Sequence, residues 1–484
     1  MTVPSPSTPF FRPERAIEAL GDAFYDVVAP AGFPRHILRF RNQRWAERMG
    51  LGALDDDQWI AHFGRFEPLP GSLPAPLALR YHGHQFRVYN PDIGDGRGFL
   101  FAQLRDPRDG RLLDFGTKGS GQTPYSRFGD GRLTLKGGVR EVLATEMLEA
   151  LGVSTSKSFS LIETGEALSR HDEPSPTRSS VLVRLSHSHI RYGTFQRLAA
   201  LQDQASMTRL VDYVLAQFVP GGPGPAATLD DRVAALIDYA VGGAADLAAS
   251  YMAAGFVHGV LNTDNINITA ESFDYGPYRF APVFDPGFTA AYFDEHGLYA
   301  YGRQIEALHW NVYQLARALL LIVPKEALVP ALETFPGRLE AAITARILAR
   351  LGVRSRGAAA DQALLAAMEG ALAGTGVGLD RFYFDWFGGP ASAARRARSP
   401  ARDSYAGEAF MPFAADMADR EPAAGVTDRL AADYFADAAP CSLLIDEIEA
   451  IWAAIDASDD WTPFTAKVAA IRRMGAAAGL AGDL

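Results

Sequence analysis

Residues 256–278 bring together side-chain types that can hold a metal ion and move a proton. An apolar run ends at His258, a polar loop then carries Asp264 and Asn265, and Asp274 closes the stretch. Carboxylate and amide oxygens hold a hard divalent ion that bridges nucleotide phosphates, and a further carboxylate can accept a proton from a hydroxyl. The alternative is an Asx-rich surface loop between two strands, because Asn, Asp and Thr favour turns for local reasons. This stretch alone leaves both interpretations open.

Two charged residues upstream favour the chemical interpretation. Lys118 ends a predicted strand, and Glu141 lies in the helix predicted next. A strand lysine paired with a helix glutamate is how kinase-like folds fix an ammonium group against nucleotide phosphates. Exposed surface positions are the usual place for both residue types. The order of strand and helix, with the flanking run Thr117-Lys118-Gly119-Ser120-Gly121, favours the pair.

Two copies of a short motif and two further arginines offer groups that can bind an anion. The tetrapeptide Gly-Asp-Gly-Arg occurs as Gly94-Asp95-Gly96-Arg97 and again as Gly129-Asp130-Gly131-Arg132. Glycine on either side of Asp permits a tight turn whose backbone N–H groups can converge on an anion, and each Arg offers a planar fork to phosphate oxygens. Arg184 and Arg191 flank the junction between predicted strands and helices, where two arginines could clamp phosphates. Spacing alone favours ordinary salt bridges for these two.

The central loop departs from the protein-kinase pattern at one position. That pattern is His-x-Asp-x4-Asn, in which the Asp accepts a proton and the Asn holds metal. Asn265 follows His258 at the required spacing, but Val260 occupies the acceptor position and cannot accept a proton. Asp264, directly before the Asn, is the only carboxylate of the loop that is placed to act instead.

The elements that must position these groups are strand-rich first and helical later. Strands are predicted at 98–105 and 111–118, joined by an Asp109-Gly110 turn, and at 158–164, 180–186 and 266–269. Apolar periodicity predicts helices at 14–24, 42–49, 56–63, 135–151, 198–218, 229–254, 309–322, 325–335 and 337–351. This order predicts an α+β fold in two halves, with the ligand in the cleft between them.

We expect four parts along the chain. Residues 1–80 form a wrapping extension that begins with a loose Pro/Ser-rich run at 1–12. Residues 81–197 form a strand-rich nucleotide-binding lobe, and 198–387 form a helical lobe that carries the central loop. Residues 388–484 form a basic linker, as far as 406, and an Ala-rich helical tail.

Composition narrows the class of protein. With 484 residues, 48% of them hydrophobic, the chain can bury a large core, and its formal charge of −11 argues against nucleic acid as a partner. Cys441 is the only cysteine, which excludes an internal disulfide or a cysteine zinc site and fits a reducing compartment. Because no secretory signal or run of membrane-span length is evident, we expect a cytoplasmic protein without a membrane partner. Gly-x-Ser-x-Gly and P-loop motifs are absent from the sequence, which argues against those enzyme classes.

Taken together, the motifs resemble the selenoprotein O family. The matching runs are Thr117 to Arg127, the Gly-Asp-Gly-Arg turn that follows at 129–132, His258 to Asn265 and Asp274-Tyr275-Gly276-Pro277. The resemblance is dense from Tyr81 to Asn311, looser before it, and fades after residue 330. It implies a protein-kinase-like fold that binds ATP in a flipped orientation. It also implies transfer of AMP, rather than phosphate, to Ser, Thr or Tyr of target proteins, the chain itself among the candidates.

The resemblance also implies roles for individual residues. Asp264 is the general base, and the ligands of Mg²⁺, or of Mn²⁺ in its place, are Asn265 and Asp274. The phosphates are gripped by Lys118, which Glu141 holds, and by Arg184 and Arg191. The rest of the nucleotide site is lined by Gly94, Gly96, Arg97, Asp130 and Gly131.

The chain departs from the family pattern at three points, and two other functions remain open. Thr117 precedes Lys118 where the family commonly has Leu, which we expect to matter little. Arg87 stands where the family often has glycine, which we expect to alter the cleft wall, and Cys441 lies too far from the C-terminal end to match the family's terminal Cys or selenocysteine. The alternative functions are a phosphotransferase of the same fold, against which Val260 counts, and a catalytically dead ATP-binding scaffold. UMP transfer from UTP is a variant of the first choice.

Overall fold

The computed structural model describes residues 10–171 and 173–480. The loose start predicted at 1–12 therefore lies outside the described residues as far as residue 9. The strands are β1 (Pro13–Glu14), β2 (Tyr25–Val27), β3 (Ile37–Arg41), β4 (Leu77–Leu79), β5 (Gly83–Gln85), β6 (Val88–Asn90), β7 (Leu100–Arg105), β8 (Leu112–Lys118), β9 (Leu133–Thr134), β10 (Lys157–Leu168), β11 (Thr177–Ser186), β12 (Phe256–Val257) and β13 (Arg279–Phe280).

Helices dominate the second half of the chain. They are α1 (Gln43–Arg48), α2 (Asp56–Phe63), α3 (Leu135–Ala150), α4 (Tyr192–Ala200), α5 (Gln204–Phe218), α6 (Leu229–Ala254), α7 (Gln304–Leu319), α8 (Val329–Leu332), α9 (Phe335–Leu351), α10 (Ala358–Leu372), α11 (Leu379–Trp386), α12 (Ala393–Arg398), α13 (Arg402–Tyr405), α14 (Met411–Ala418), α15 (Val426–Arg429), α16 (Ile445–Ser458) and α17 (Thr462–Ala478). Short 3-10 helices lie at Ala16–Leu20, Thr263–Asn265, Tyr301–Arg303, Lys325–Ala327, Gly389–Ser392, Glu408–Phe410 and Asp433–Ala436.

An antiparallel sheet of nine strands forms most of the first half. Its order is β2-β4-β7-β8-β11-β10-β3, with β1 paired to β7 and β9 paired to β11. In the pairing of β8 with β11, Lys118 lies opposite Leu182 and Gly116 lies opposite Arg184. Because alternate residues of a strand share a face, this register places Lys118 and Arg184 on the same face of the sheet. Two strands from the first 80 residues, β2 and β3, form the two edges of the sheet.

Helix α3 packs on this sheet and carries Glu141. Its first turn is capped by Thr134, whose Oγ1 accepts a hydrogen bond from the backbone N–H of Gly137 at 3.1 Å. Its apolar face, including Val139, Val142 and Leu143, is fully buried in a core that also contains residues of the sheet, of the helices after residue 192 and of the C-terminal helices. The position of Glu141 is therefore set by packing on several sides of the helix.

Most of the predicted elements are confirmed. The hairpin at 98–118, the helix at 135–151 and the strands within 158–164 and 180–186 are present, the last two as parts of the longer β10 and β11. The helix predicted at 198–218 is two helices, because Asp203 starts α5 by accepting a hydrogen bond from the backbone N–H of Ser206 at 2.9 Å.

Three predicted elements are wrong. The helix at 14–24 is instead a strand, paired to β7, and a 3-10 turn, because the backbone N–H of Ile17 donates to the Gln103 side chain at 2.8 Å. The strand at 266–269 is a single bridge between Arg191 and Asn267 followed by a turn. The helix at 325–335 is instead a 3-10 turn followed by the four-residue α8. The segment 388–406 contains α12, α13 and a 3-10 turn, and its role as a linker stays a prediction. Long-range contacts overrode local propensity in the first two cases.

One described helix is long and apolar enough to cross a membrane by length and composition, whereas the sequence analysis expected none. It is α6, and 61% of its most apolar window is buried inside the protein. Burial of this kind is typical of the core helix of a folded domain.

Gly98→Ala is expected to lower the free energy of unfolding by about 1–3 kcal/mol. A methyl group there would overlap the carbonyl oxygen of Thr117, next to Lys118. Gly337→Ala is the matched control, because a Cβ at that position in α9 meets nothing within 4 Å. It is expected to be neutral or stabilising by up to about 1 kcal/mol. Urea unfolding measures the stability of both variants. Equal stabilities would contradict the close contact between Gly98 and the Thr117 carbonyl oxygen.

Candidate active site

A cavity of about 720 Å³ lies beside β8 and β11. Ten of the twelve predicted site residues line it, namely Gly94, Gly96, Arg97, Lys118, Asp130, Gly131, Arg184, Arg191, Asp264 and Asp274. Glu141 and Asn265 are outside this lining. Seven arginine and lysine side chains and four aspartates line the cavity, so it is cationic in a chain of net charge −11. A local positive field of this kind attracts anions.

Lys118 lies at the inner wall of the cavity between two carboxylates. Lys118 is only 4% exposed and Glu141 only 2%. The Lys118 Nζ donates to Glu141 Oε1 and lies 2.5 Å from Asp274 Oδ1, and the Nη1 of Arg184 lies 3.5 Å from the same Asp274 oxygen. Burial alone would raise the pKa of Asp274, but the charges of Lys118, Arg184 and Arg97 hold it well below its usual range. Asp274 is therefore ionised, and Glu141 supports Lys118 from outside the cavity.

Arg184 and Arg191 line the cavity and carry buried donors that lack a hydrogen-bond partner among the described residues. Both side chains are buried, and Arg191 donates from Nη1 to the backbone carbonyl of Asp264 at 2.8 Å and from Nη2 to Asp95 Oδ1 at 3.2 Å. The Nε and Nη1 of Arg184 and the Nε of Arg191 are buried without a hydrogen-bond partner in the described part of the chain. Because unpaired buried donors are costly, these groups favour an anionic ligand in the cavity.

Asp264 lies in the 3-10 turn Thr263–Asn265 and has one oxygen without a partner. Its Oδ2 accepts a hydrogen bond from Gln85 Nε2 at 3.4 Å, while Oδ1 is buried and unbonded among the described residues. Burial raises the pKa of Asp264 to about 6, against the opposing charge of Arg191. A carboxylate with a free oxygen in a cationic cavity can accept a proton from a hydroxyl.

Asn265 and Asp274 have the donor atoms that a magnesium ion needs. The Asn265 Nδ2 donates to the Val260 carbonyl at 3.1 Å, which orients the side chain and leaves Oδ1 without a hydrogen bond in the ranges described. No cluster of three or more His, Cys, Asp or Glu suited to a metal occurs among the described residues. Mg²⁺ bound mainly through substrate phosphates requires only one or two protein oxygens, so this donor set fits it.

The β5–β6 hairpin holds the loop that carries Asp264. The backbone N–H of His84 donates to Thr263 Oγ1 at 2.7 Å, and that of Phe86 donates to Asn262 Oδ1 at 2.9 Å. Thr263 Oγ1 in turn donates to Gln196 Oε1 at 2.7 Å. These contacts could not be predicted from the sequence, because nothing in the local pattern connects residues so far apart in the chain.

Arg87 lies at the tip of this hairpin and does not line the cavity. Its backbone has φ of 64°, a left-handed conformation that favours glycine, and its Nη2 donates to Glu306 Oε1 at 2.9 Å. The expectation that Arg87 alters the cleft wall is therefore wrong: the side chain reaches to α7 instead.

The two Gly-Asp-Gly-Arg turns have different structures. Asp95 is buried, and its Oδ2 accepts the backbone N–H of Leu79 at 3.1 Å while Oδ1 accepts from Arg191. Asp130 is exposed and accepts from Arg170 at 2.7 Å and 3.2 Å. Gly131 has φ of 70°, and an added Cβ would overlap the backbone of Gly121, so the position requires glycine. Asp95, which the sequence analysis did not select, supports Arg191.

The cavity is cationic, its lysine is held by a helix glutamate, and a carboxylate with an unbonded oxygen lies beside them. This combination is typical of a transferase that acts on nucleotide phosphates. The chain belongs to the family described as protein adenylyltransferase SelO, whose profile matches residues 10–472. The match extends well past residue 330, where the resemblance seen in the sequence faded. The protein is thus an enzyme of the nucleotidyltransferase class.

Relatives of the chain carry names of the same class. It is 47% identical over 478 residues to protein nucleotidyltransferase YdiU of Gloeobacter violaceus, covering 95% of each chain. It is 51% identical over 344 residues to the protein of that name from Synechocystis sp., covering 71% of each chain. With that of Vibrio parahaemolyticus it shares 35% identity over 340 residues, covering 70% of this chain and 67% of the relative.

Thr263→Val is expected to lower the free energy of unfolding by about 1–3 kcal/mol, because the isosteric change leaves the His84 N–H and the Gln196 oxygen without a buried partner. Thr208→Val is the matched control, since its hydroxyl only donates to the Gln204 carbonyl in the same helix. We expect the control to change stability by less than about 0.5 kcal/mol. Thermal and urea unfolding measure both variants. If Thr263→Val is as stable as the control, the hairpin does not hold the loop.

Proposed function

We propose that the protein transfers AMP from ATP to Ser, Thr or Tyr hydroxyls of protein substrates, with Asp264 as the general base. The observation that carries this proposal is the buried, unbonded Oδ1 of Asp264 in the same cavity as Lys118, Arg184 and Arg191. A hydroxyl that enters the cavity can approach the Asp264 carboxylate, while the cations hold the phosphates. Family membership supports the adenylyl group as the one transferred.

We also propose that the fold is a two-lobed, kinase-like one. The strand lysine, the helix glutamate and the loop with Asn265 and Asp274 occur in the order and in the contacts that such a fold uses. By this proposal the nucleotide-binding lobe is 81–197 and the helical lobe is 198–387. By the same proposal the flanking parts are the extension 1–80 and the segment 388–484, and the protein acts in the cytoplasm.

The reaction we propose is an in-line attack on the α-phosphorus of ATP. Asp264 accepts the proton of the substrate hydroxyl, whose oxygen forms a bond to the α-phosphorus. The bond between the α-phosphorus and its bridging oxygen breaks, and pyrophosphate leaves with that electron pair. Lys118, Arg184 and Arg97 stabilise the charge that develops on the leaving group, which is an electrostatic and positional task.

Asn265 and Asp274 would hold the divalent ion, Mg²⁺ or Mn²⁺, together with the nucleotide phosphates. The ion would neutralise phosphate charge when bound. Lys118 and Arg184 keep Asp274 ionised beforehand, and the Val260 carbonyl orients the Asn265 amide. A phosphotransferase is disfavoured, because Val260 occupies the position of the kinase base. A scaffold without chemistry would not need Asp264 with its free oxygen.

Asp264→Asn is expected to reduce the rate of AMP transfer about 10²- to 10⁴-fold, because the amide cannot accept the hydroxyl proton. ATP affinity is expected to stay unchanged, since the cations that face the phosphates are untouched. The measurement is transfer of label from α-labelled ATP to a protein substrate, together with ATP binding by calorimetry. Asp92→Asn, at an exposed carboxylate just before the first Gly-Asp-Gly turn, is the control and should transfer like the native protein. Transfer by Asp264→Asn at the native rate would rule out this base.

A further inference from the structure

The C-terminal helices pack directly against helix α3, which carries Glu141. Helix α17 approaches so closely that a Cβ added at Gly475 would lie 2.9 Å from the Cβ of Ala150. Helix α16 reaches the other end of α3, where Lys136 Nζ lies 2.7 Å from Glu449 Oε2. Helix α3 is therefore enclosed between the sheet on one side and the C-terminal helices on the other.

The strongest polar contact across this interface joins Arg472 of α17 to Glu146 of α3. Arg472 Nε donates to Glu146 Oε2 at 2.8 Å, and Nη2 donates to Oε1 at 2.7 Å, which is a two-point guanidinium–carboxylate pair. Glu146 is only 3% exposed. Glu146 and Glu141 are separated by five positions on a helix of 3.6 residues per turn, so they face different sides of α3. One side meets Lys118 and the other meets the tail.

The same C-terminal segment is also fixed to the sheet. Asp459 accepts hydrogen bonds from Arg39 of β3 at 3.0 Å and from Arg178 of β11 at 2.6 Å. The rings of Phe40 and Phe464 pack edge to face with centroids 6.2 Å apart. The tail thus joins α3 to the strands on which Arg184 and, one strand further, Lys118 lie. A shift of α3 relative to the sheet would require breaking these contacts.

We propose that Arg472 is a positioning residue for the nucleotide site: through Glu146 it holds α3 where Glu141 reaches Lys118. The proposal rests on the proposed function in one respect, that Lys118 contacts the nucleotide. Lys118 has two carboxylate partners, Glu141 and Asp274. If Glu141 withdraws with α3, the ammonium group keeps only Asp274 as a partner and is no longer held where it meets the nucleotide phosphates. The tail is then part of the active enzyme.

Arg472→Met is the first test. We expect the dissociation constant for ATP to rise about three- to tenfold, the KM for ATP to rise with it, and amide exchange in residues 135–150 to become faster. Arg473→Met is the matched control on the same helix, because Arg473 is 49% exposed and pairs with Asp437 rather than with α3. The control should bind ATP like the native protein. Arg472→Lys keeps the charge and should recover part of the affinity.

A second variant separates positioning from folding. Arg472→Met leaves the buried Glu146 carboxylate unpaired, which by itself destabilises the protein. Glu146→Gln combined with Arg472→Met removes that charge and is expected to regain stability while ATP binding stays weak. If this double variant, or folded Arg472→Met, binds ATP as tightly as Arg473→Met, Arg472 is only a structural residue and the proposal is overturned.

Binding measurements keep this proposal distinct from the proposed reaction. If the native protein binds ATP but transfers no AMP, the proposed function fails, while the comparison of ATP affinities among the variants still decides the role of Arg472. If AMP transfer is found and the Arg472 variants bind ATP normally, the function stands and the positioning role fails.

Discussion

The ammonium group of Lys118 is buried between the carboxylates of Glu141 and Asp274, and the rest of the site depends on this arrangement. A buried charge is tolerated only where it is paired. Two carboxylates around one ammonium leave a negative excess, which Arg184 beside Asp274 offsets. Four elements supply these groups, namely β8, α3, β11 and the loop before β13. They must therefore keep their relative positions for the cluster to persist.

Each of these elements is fixed by a contact from far along the chain. The register of β8 with β11 sets Lys118 beside Arg184, and the C-terminal helix α17 holds α3 through Arg472. The loop that carries Asp274 is tied to the segment after α3, because the backbone N–H of Ser272 donates to the Ser154 carbonyl at 2.8 Å. The β5–β6 hairpin holds the loop of Asp264 through Thr263. Residues on both sides of the central stretch thus build the cavity.

The side chains that line the cavity could be predicted from the sequence better than the distant residues that hold them in place. Lys118, Asp264 and Asp274 follow from residue type and order, and the hairpin and α3 follow from turn chemistry and apolar periodicity. Asp95 as the partner of Arg191, and Arg472 as the partner of Glu146, could not be predicted, because these pairs join positions that only the folded chain brings together. The helix expected at 14–24 failed for the same reason, since pairing with β7 decides its conformation.

In the proposed reaction a protein hydroxyl attacks the α-phosphorus of ATP, and following the α- and γ-phosphates of ATP separately tests this directly. Native protein is incubated with Mg²⁺ and a mixture of protein substrates in two parallel reactions, one with ATP labelled at the α-phosphate and one with ATP labelled at the γ-phosphate. We expect the protein substrates to become labelled in the reaction with α-labelled ATP and to stay unlabelled in the reaction with γ-labelled ATP. Label from the γ-position alone would contradict this expectation and would make the enzyme a phosphotransferase that works without a carboxylate at residue 260.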